Sequence, residues 1–81
     1  MKRYICYIGY YISYNAALSI QQQLSEYGFS SVMKVNNGFY HLEVMESFQK
    51  KPIEEMVNCL FVYGFFANMM CVNRDYTGET V

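Results

Sequence analysis

Hydrophobic and polar positions alternate at the start of the chain, in the run YICYIGYY at residues 4–11. Successive side chains of a β-strand point to opposite faces of its sheet, so this run predicts a strand with two distinct faces. Gly9 interrupts the alternation and is predicted to end it. The residues predicted for one face are Tyr4, Cys6 and Ile8, and those predicted for the other face are Ile5 and Tyr7.

The next segments change from helical to strand periodicity. Apolar residues recur at helical spacing over Asn15–Tyr27, and Gly28 follows in the position where many helices end. Ser31–Val35 and Phe39–Met45 are short apolar runs on either side of an Asn-Asn-Gly turn signal. We therefore predict an amphipathic helix followed by a β-hairpin.

A second helix and a last strand complete the pattern. Pro52 suits the first position of a helix that ends at Gly64. Glu54 and Glu55 would lie in its first turn, where the helix dipole stabilises acidic side chains. Ala67–Val72 is predicted as the last strand.

The predicted order is strand, helix, strand, strand, helix, strand, which is a ferredoxin-like βαββαβ sandwich of the α+β class. Such a fold packs two helices on one face of a four-stranded antiparallel sheet and leaves the other face open. Residues 1–73 are predicted to form this single domain. The polar residues 74–81, interrupted by Thr77-Gly78, are predicted to form a flexible C-terminal tail.

The domain is predicted to contain two similar halves, residues 1–36 and 37–73. A shift of 36 positions places the strand, helix and glycine positions of the first half on those of the second. Two copies are too few for a solenoid, so a pseudo-twofold sandwich explains them better. Tyr4, Cys6, Ile8, Ile20, Leu24, Gly28 and Phe29 correspond in that order to Tyr40, Leu42, Val44, Met56, Leu60, Gly64 and Phe65.

The composition suits one folded domain without a membrane anchor. Of the 81 residues, 53% are hydrophobic and 16% are charged, which is enough apolar surface to offset the entropy of ordering. No apolar run approaches the roughly 20 residues that span a bilayer, and no small-residue cleavage site follows Lys2 and Arg3. We therefore expect a cytoplasmic protein. Cys6, Cys59 and Cys71 have no paired spacing and are predicted to be reduced and buried.

Charge and motif content argue against several classes of chemistry. Six Lys and Arg against seven Asp and Glu give a net charge of −1, which does not provide the basic surface typical of nucleic-acid binding. His41 is the only histidine, and the sequence around it contains no nucleophile motif, metal-ligand spacing or glycine-rich phosphate loop. We therefore predict no catalytic residues, no metal and no cofactor.

Each half contains a strand motif, a set of apolar helix positions and a Gly-Phe pair. These are Tyr4-x-Cys6-x-Ile8-Gly9, Ala17, Ile20, Leu24 and Gly28-Phe29 in the first half, and Tyr40-x-Leu42-x-Val44, Ile53, Met56, Leu60 and Gly64-Phe65 in the second. With these residues, the chain resembles the sporulation-related repeat (SPOR) domain over residues 3–73. The resemblance implies the ferredoxin-like fold and, as a function, binding of peptidoglycan glycan strands stripped of their stem peptides.

Residues 6–11 and 37–44 also resemble the two ribonucleoprotein motifs of RNA-recognition motifs. In that family, aromatic side chains at the places of Tyr7, Phe39 and His41 stack on unpaired bases. This resemblance implies a single-stranded RNA ligand.

Both resemblances place one set of side chains on the open face of the sheet. Tyr10, Tyr11 and Tyr14 lie in the connection to the first helix and are predicted to line the rim of that face. An open apolar and aromatic surface on a small chain is typical of a binding surface. The predicted binding residues are Ile5, Tyr7, Tyr10, Tyr11, Phe39, His41 and Glu43.

We predict a non-catalytic binding protein that acts by occupying a partner's surface through this face. The main hypothesis is a protein partner, as for inhibitors of host protein complexes that phages or mobile elements encode. The alternatives are the peptidoglycan glycan and the single-stranded RNA implied by the two resemblances. Met33, Met45, Met69 and Met70 would add adaptable apolar surface near strand edges, which leaves a homodimer open.

Overall fold

The computed structural model describes residues 2–73, 75, 76 and 79–81. The elements are β1 (Lys2–Tyr11), α1 (Tyr14–Glu26), β2 (Val32–Asn36), β3 (Phe39–Ser47), α2 (Lys50–Val62), β4 (Asn68–Asn73) and β5 (Glu79–Thr80). The strands form one antiparallel sheet in the order β4-β1-β3-β2-β5. This confirms the predicted α+β fold with two helices and a four-stranded antiparallel sheet, to which β5 is added at the β2 edge.

The two helices begin and end 36 positions apart and finish in the same way. Each is followed by a left-handed glycine, Gly28 with φ 88° and Gly64 with φ 90°, where a side chain would be strained. The next residue, Phe29 or Phe65, donates its N–H to a carbonyl of the last helical turn at 2.9 Å. The glycine-phenylalanine pairs thus turn the chain from each helix back toward the sheet.

A hydrophobic core fills the space between the helices and one face of the sheet. Cys6 and Ile8 of β1 lie in it, and Tyr4 packs against it, as the alternation of this strand predicts. Met45 and Met69 also pack against this core, so these methionines contribute to packing in the chain itself. Burial of each large aliphatic side chain contributes about 1.5–3 kcal/mol. The buried members are Cys6, Ile8, Ala17, Leu24, Met33, Leu42, Ile53, Leu60 and Phe65.

Helix α2 begins earlier than predicted. Its first residue is Lys50 and its N-cap is Gln49, so Pro52 lies at the third helical position and not the first. Glu54 and Glu55 consequently fall after the first turn, which contains no acidic residue. Proline is accepted there because the first N–H groups of a helix have no intrahelical partner.

Residues 79–81 of the predicted tail contact the edge of the sheet. β5 pairs antiparallel with β2, and Val81 donates its N–H to the carbonyl oxygen of Met33 at 2.9 Å. The free N–H and C=O groups of the edge strand β2 provide the pairing partners, and the flexibility predicted for residues 74–81 stays a prediction. Arg74 and Thr77-Gly78, which belong to the same predicted tail, lie outside the described residues.

Two further expectations concern membranes and thiols. Within the described ranges, no helix is long and apolar enough to span a bilayer.

Cys6 is buried as predicted, but Cys59 and Cys71 are exposed. The prediction that they are buried is wrong, because Cys59 lies on the solvent side of α2 and Cys71 lies on the edge strand β4.

Candidate binding site on the outer sheet face

We name the sheet face opposite the helices the outer face. The residues that lie on this face are identified by the alternation of β1 and by the register of β1 with β3, in which Tyr7 pairs with Glu43 and Gly9 with His41. The outer-face residues of these two central strands are Arg3, Ile5 and Tyr7 from β1 and Phe39, His41, Glu43 and Glu46 from β3.

A break in strand register brings a tyrosine ring next to His41. Gly9 pairs with His41 and Tyr11 pairs with Tyr40, so Tyr10 forms an extra residue between the two pairs. Gly9 lets the strands approach closely, since a Cβ added there would lie 2.8 Å from the Cβ of His41. The ring centroid of Tyr10 lies 5.2 Å from that of His41.

Tyr7, Tyr10 and His41 form an aromatic cluster on the outer face. The ring centroid of Tyr7 lies 5.5 Å from that of Tyr10 and 5.8 Å from that of His41. Both tyrosines meet the imidazole edge to face, an arrangement that aromatic quadrupoles favour. His41 is only 1% exposed, whereas Tyr10 is 49% exposed. The cluster therefore shields the imidazole and offers the Tyr10 ring to a ligand.

Glu43 is the polar centre of the outer face. Its Oε2 accepts hydrogen bonds from His41 Nε2 at 2.8 Å and from the Tyr76 hydroxyl at 3.3 Å. The Glu43 side chain is 13% exposed, so these donors compensate for the loss of water around the carboxylate. His41 Nδ1 is buried and makes no hydrogen bond within the described residues.

Tyr76 lies on the outer face between Arg3 and Glu43. Arg3 donates a hydrogen bond to the Tyr76 carbonyl oxygen, and its guanidinium carbon lies 5.8 Å from the centroid of the Tyr76 ring. Burial raises the pKa of the Tyr76 hydroxyl, and the charge and hydrogen bond of Glu43 raise that pKa further, while Arg3 opposes them. The hydroxyl therefore remains a hydrogen-bond donor at neutral pH.

A second ion pair holds Arg3 in this position. Its guanidinium contacts the Glu46 carboxylate at 2.5 Å, and the Arg3 side chain is 19% exposed. Ile5 follows Arg3 on the same face of β1, directly opposite Glu46 in β3. Ile5 is completely buried although α1 and α2 both pack against the opposite face of the sheet, and Tyr76 is bonded to Arg3 and Glu43 on either side of it.

The structure places six of the seven predicted residues on the outer face, and two of these six are buried. Ile5 and His41 are buried. The rings of Tyr7 and Tyr10 lie against His41, and Tyr76 is bonded to Arg3 and Glu43 on either side of Ile5. Ile5 and His41 support the surface rather than forming it. Tyr11 does not belong to the outer face, because the extra residue Tyr10 shifts the alternation and Tyr11 packs against the helix-side core.

Of the remaining predicted residues, Tyr7, Tyr10 and Phe39 have exposed surface that a ligand can reach, whereas Glu43 is largely buried. Tyr7 is half-buried beside the exposed Tyr10, and Phe39 is 45% exposed at the hairpin end of β3. Sequence reasoning missed Arg3 and Tyr76. Arg3 shares the strand face of Ile5 and could have been found from the alternation, whereas no periodic pattern surrounds Tyr76.

An open groove continues from Glu43 along β2 and β3. Its volume is about 220 Å³. Aromatic rings, a carboxylate with hydrogen-bonded partners and a groove lined by both apolar and charged residues suit a ligand that has flat apolar surfaces and hydroxyl groups. The described residues include no cluster of three or more side chains that could hold a metal ion. The groove is lined by Val32, Lys34, Glu43, Val44, Met45 and Glu46.

Comparison with known proteins identifies a shared fold. No model of a known protein family matches the chain, and a search of curated proteins gives no match. Among solved structures, the chain is similar to the solution structure of the peptidoglycan binding domain of the B. subtilis cell wall lytic enzyme CwlC. The TM-score is 0.80 at 19% sequence identity, over 90% of this chain and 92% of that chain. The fold implied by the resemblance to SPOR domains is thus shared with a peptidoglycan-binding domain of known structure.

Proposed function

We propose that this chain is a non-catalytic module that binds the glycan strands of peptidoglycan through its outer face. The observation that carries the proposal is the exposed ring of Tyr10 beside the buried His41–Glu43 pair. The shared fold with a peptidoglycan-binding domain supports a glycan as the ligand. We propose binding and not catalysis because the polar side chains His41 and Glu43 are hydrogen-bonded to each other, and Glu43 is also hydrogen-bonded to Tyr76.

The outer face suits the chemistry of a sugar chain. A pyranose ring has an apolar C–H face and a rim of hydroxyl groups, and these match an aromatic ring and a carboxylate acceptor, respectively. Tyr10 offers the ring, and Glu43 offers the acceptor at the start of the groove. Binding of a glycan without stem peptides does not require a strongly charged protein surface, which agrees with a net charge of −1.

The fold comparison favours a glycan over the other two ligands considered from the sequence. A protein partner, including a role as an inhibitor of a host complex, stays a prediction. Single-stranded RNA also stays a prediction, and the weakly acidic chain does not provide the positive charge that phosphate contacts need. Formation of a homodimer also stays a prediction.

A glycan ligand has a consequence for location. The sequence predicted a cytoplasmic protein, whereas peptidoglycan lies outside the cell membrane. We propose that the protein meets the cell wall, and fractionation of cells that produce it tests this proposal. Recovery in the wall fraction would support it, and recovery restricted to the cytosol would contradict it.

Co-sedimentation with peptidoglycan tests the function. We expect the protein to sediment with amidase-treated, stem-peptide-free peptidoglycan and to remain largely in solution with intact sacculi. Tyr10→Ala should weaken binding about two- to tenfold, the equivalent of 0.5–1.5 kcal/mol for one aromatic contact. Tyr27→Ala is the matched control, because Tyr27 is also an exposed tyrosine, at 56%, but lies at the end of α1. Equal binding by both variants, or no binding by the wild type, would contradict the proposal.

A further inference from the structure

The C-terminal residues use the groups of the outer face as a ligand would. The Tyr76 hydroxyl donates to the Glu43 carboxylate, and the Tyr76 carbonyl accepts from Arg3. The Tyr76 ring lies next to the Arg3 guanidinium, and Ile5, the next outer-face residue of β1 after Arg3, has no exposed surface. A hydroxyl, an acceptor oxygen and a flat ring therefore already occupy the centre of the proposed glycan surface.

These C-terminal residues are paired with the sheet at fewer positions than the other strands are. β5 contains two residues and pairs with β2 at only two positions, Lys34 with Thr80 and Val35 with Glu79. In contrast, β1 pairs with β3 along nearly its whole length. Segments with few buried apolar contacts and few backbone hydrogen bonds open at a small fraction of the free energy of global unfolding. Thr80 and Val81 are exposed, so little apolar burial opposes their release.

We propose that Asp75, Tyr76 and β5 form a displaceable cover that competes with the ligand for the outer face. This inference rests on the proposed function of that face. In the covered state Tyr76 satisfies Arg3 and Glu43. In the uncovered state these two side chains are free to contact an acceptor oxygen and a hydroxyl group of the glycan, and Ile5 provides an apolar surface beneath a sugar ring.

The competition sets the apparent affinity. A ligand that binds only the uncovered state has its apparent affinity reduced by the fraction of molecules in that state. Weakening the cover therefore strengthens binding without adding any contact to the ligand. Strengthening the cover has the opposite effect.

Two variants of the full chain test this competition. Tyr76→Ala removes the ring and the hydroxyl, and we expect it to bind stem-peptide-free peptidoglycan about three- to tenfold more tightly than the wild type. Tyr76→Phe removes only the hydrogen bond to Glu43, and we expect a smaller increase. Tyr27→Ala serves as the control and should bind like the wild type. Circular dichroism establishes that each variant is folded before binding is compared.

Hydrogen exchange of the wild-type protein provides an independent readout. On addition of soluble stem-peptide-free glycan, we expect faster amide exchange at residues 75, 76 and 79–81 and slower exchange in β1 and β3. Equal or weaker binding by Tyr76→Ala would overturn the inference, as would slower exchange of the C-terminal residues, which would make Tyr76 part of the binding site. An absence of binding by every variant would instead contradict the proposed function, and the competition with it.

Discussion

Gly9 and His41 face each other across β1 and β3 so closely that no side chain fits on Gly9. A Cβ there would lie 2.8 Å from the His41 Cβ and 3.2 Å from the Tyr40 carbonyl oxygen, and the φ angle of Gly9 is 154°. The same contact allows the extra residue Tyr10 to place its ring beside His41. A glycine that ends the hydrophobic alternation in the sequence is thus the residue on which the aromatic cluster depends.

Gly9→Ala is expected to destabilise the fold by about 2–4 kcal/mol, because the clash involves backbone and a Cβ, neither of which can move away independently. Gly38→Ala is the matched control. Gly38 also has a left-handed φ, of 81°, but an added Cβ meets nothing within 4 Å, so its cost is expected to be about 1 kcal/mol. Urea denaturation measures both changes. Equal costs would show that the close contact with His41 is unimportant.

Glu43→Gln is expected to destabilise the fold by about 1–3 kcal/mol, because Glu43 accepts two hydrogen bonds in a largely buried position. Glu46→Gln provides the comparison, since the Glu46 side chain is 58% exposed and its ion pair with Arg3 is expected to contribute less than about 1 kcal/mol. Thermal or urea unfolding distinguishes the two. The role of Glu43 as polar centre would be wrong if Glu46→Gln were the more damaging change.

The Cys6 thiol is expected to make the free energy of unfolding depend on pH in the alkaline range. Burial raises the pKa of its thiol from 9.0 to about 11. The folded state therefore holds this proton more tightly than the unfolded state, so its contribution is complete below pH 9 and is lost between pH 9 and about 11. We expect the free energy of unfolding to fall by about 2–3 kcal/mol over this window. The decrease should be clearly smaller in Cys6→Ala, and an identical pH dependence would contradict the assignment to Cys6.

The three thiols are expected to differ in reactivity. Cys59 and Cys71 are exposed and Cys6 is completely buried. A thiol reagent such as Ellman's reagent should therefore modify two thiols quickly in the native protein, and the third only after unfolding. Cys71→Ser should reduce the fast phase to one thiol. Rapid modification of all three in the wild type would show that the core around Cys6 opens readily.

The pattern of the sequence predicts the fold because the signals that determine it are local. Alternation in β1 separates Cys6 and Ile8 from Ile5 and Tyr7, and Gly28 and Gly64 mark the ends of two helices at equal spacing. These features depend on side-chain direction and backbone freedom, which neighbouring residues reveal.

The exposure of the candidate site could not be predicted in the same way. Tyr76 contacts Arg3 and Glu43, which are far from it in the chain, and a two-residue strand follows it. The sequence contains no periodic signal for either feature. The position of Tyr11 depends on the extra residue Tyr10, which only the register of β1 with β3 reveals. Propensity and alternation identify a strand face, but they do not show which segment returns to cover it.

A chemical-shift titration of the isotope-labelled protein with a soluble, stem-peptide-free glycan chain tests the central claim most directly. We predict saturable changes at the amides of Tyr7, Tyr10 and Glu43 and along the groove between β2 and β3, with little change on the exposed sides of α1 and α2. Changes confined to the helices, or no change at millimolar glycan, would contradict binding through the outer face.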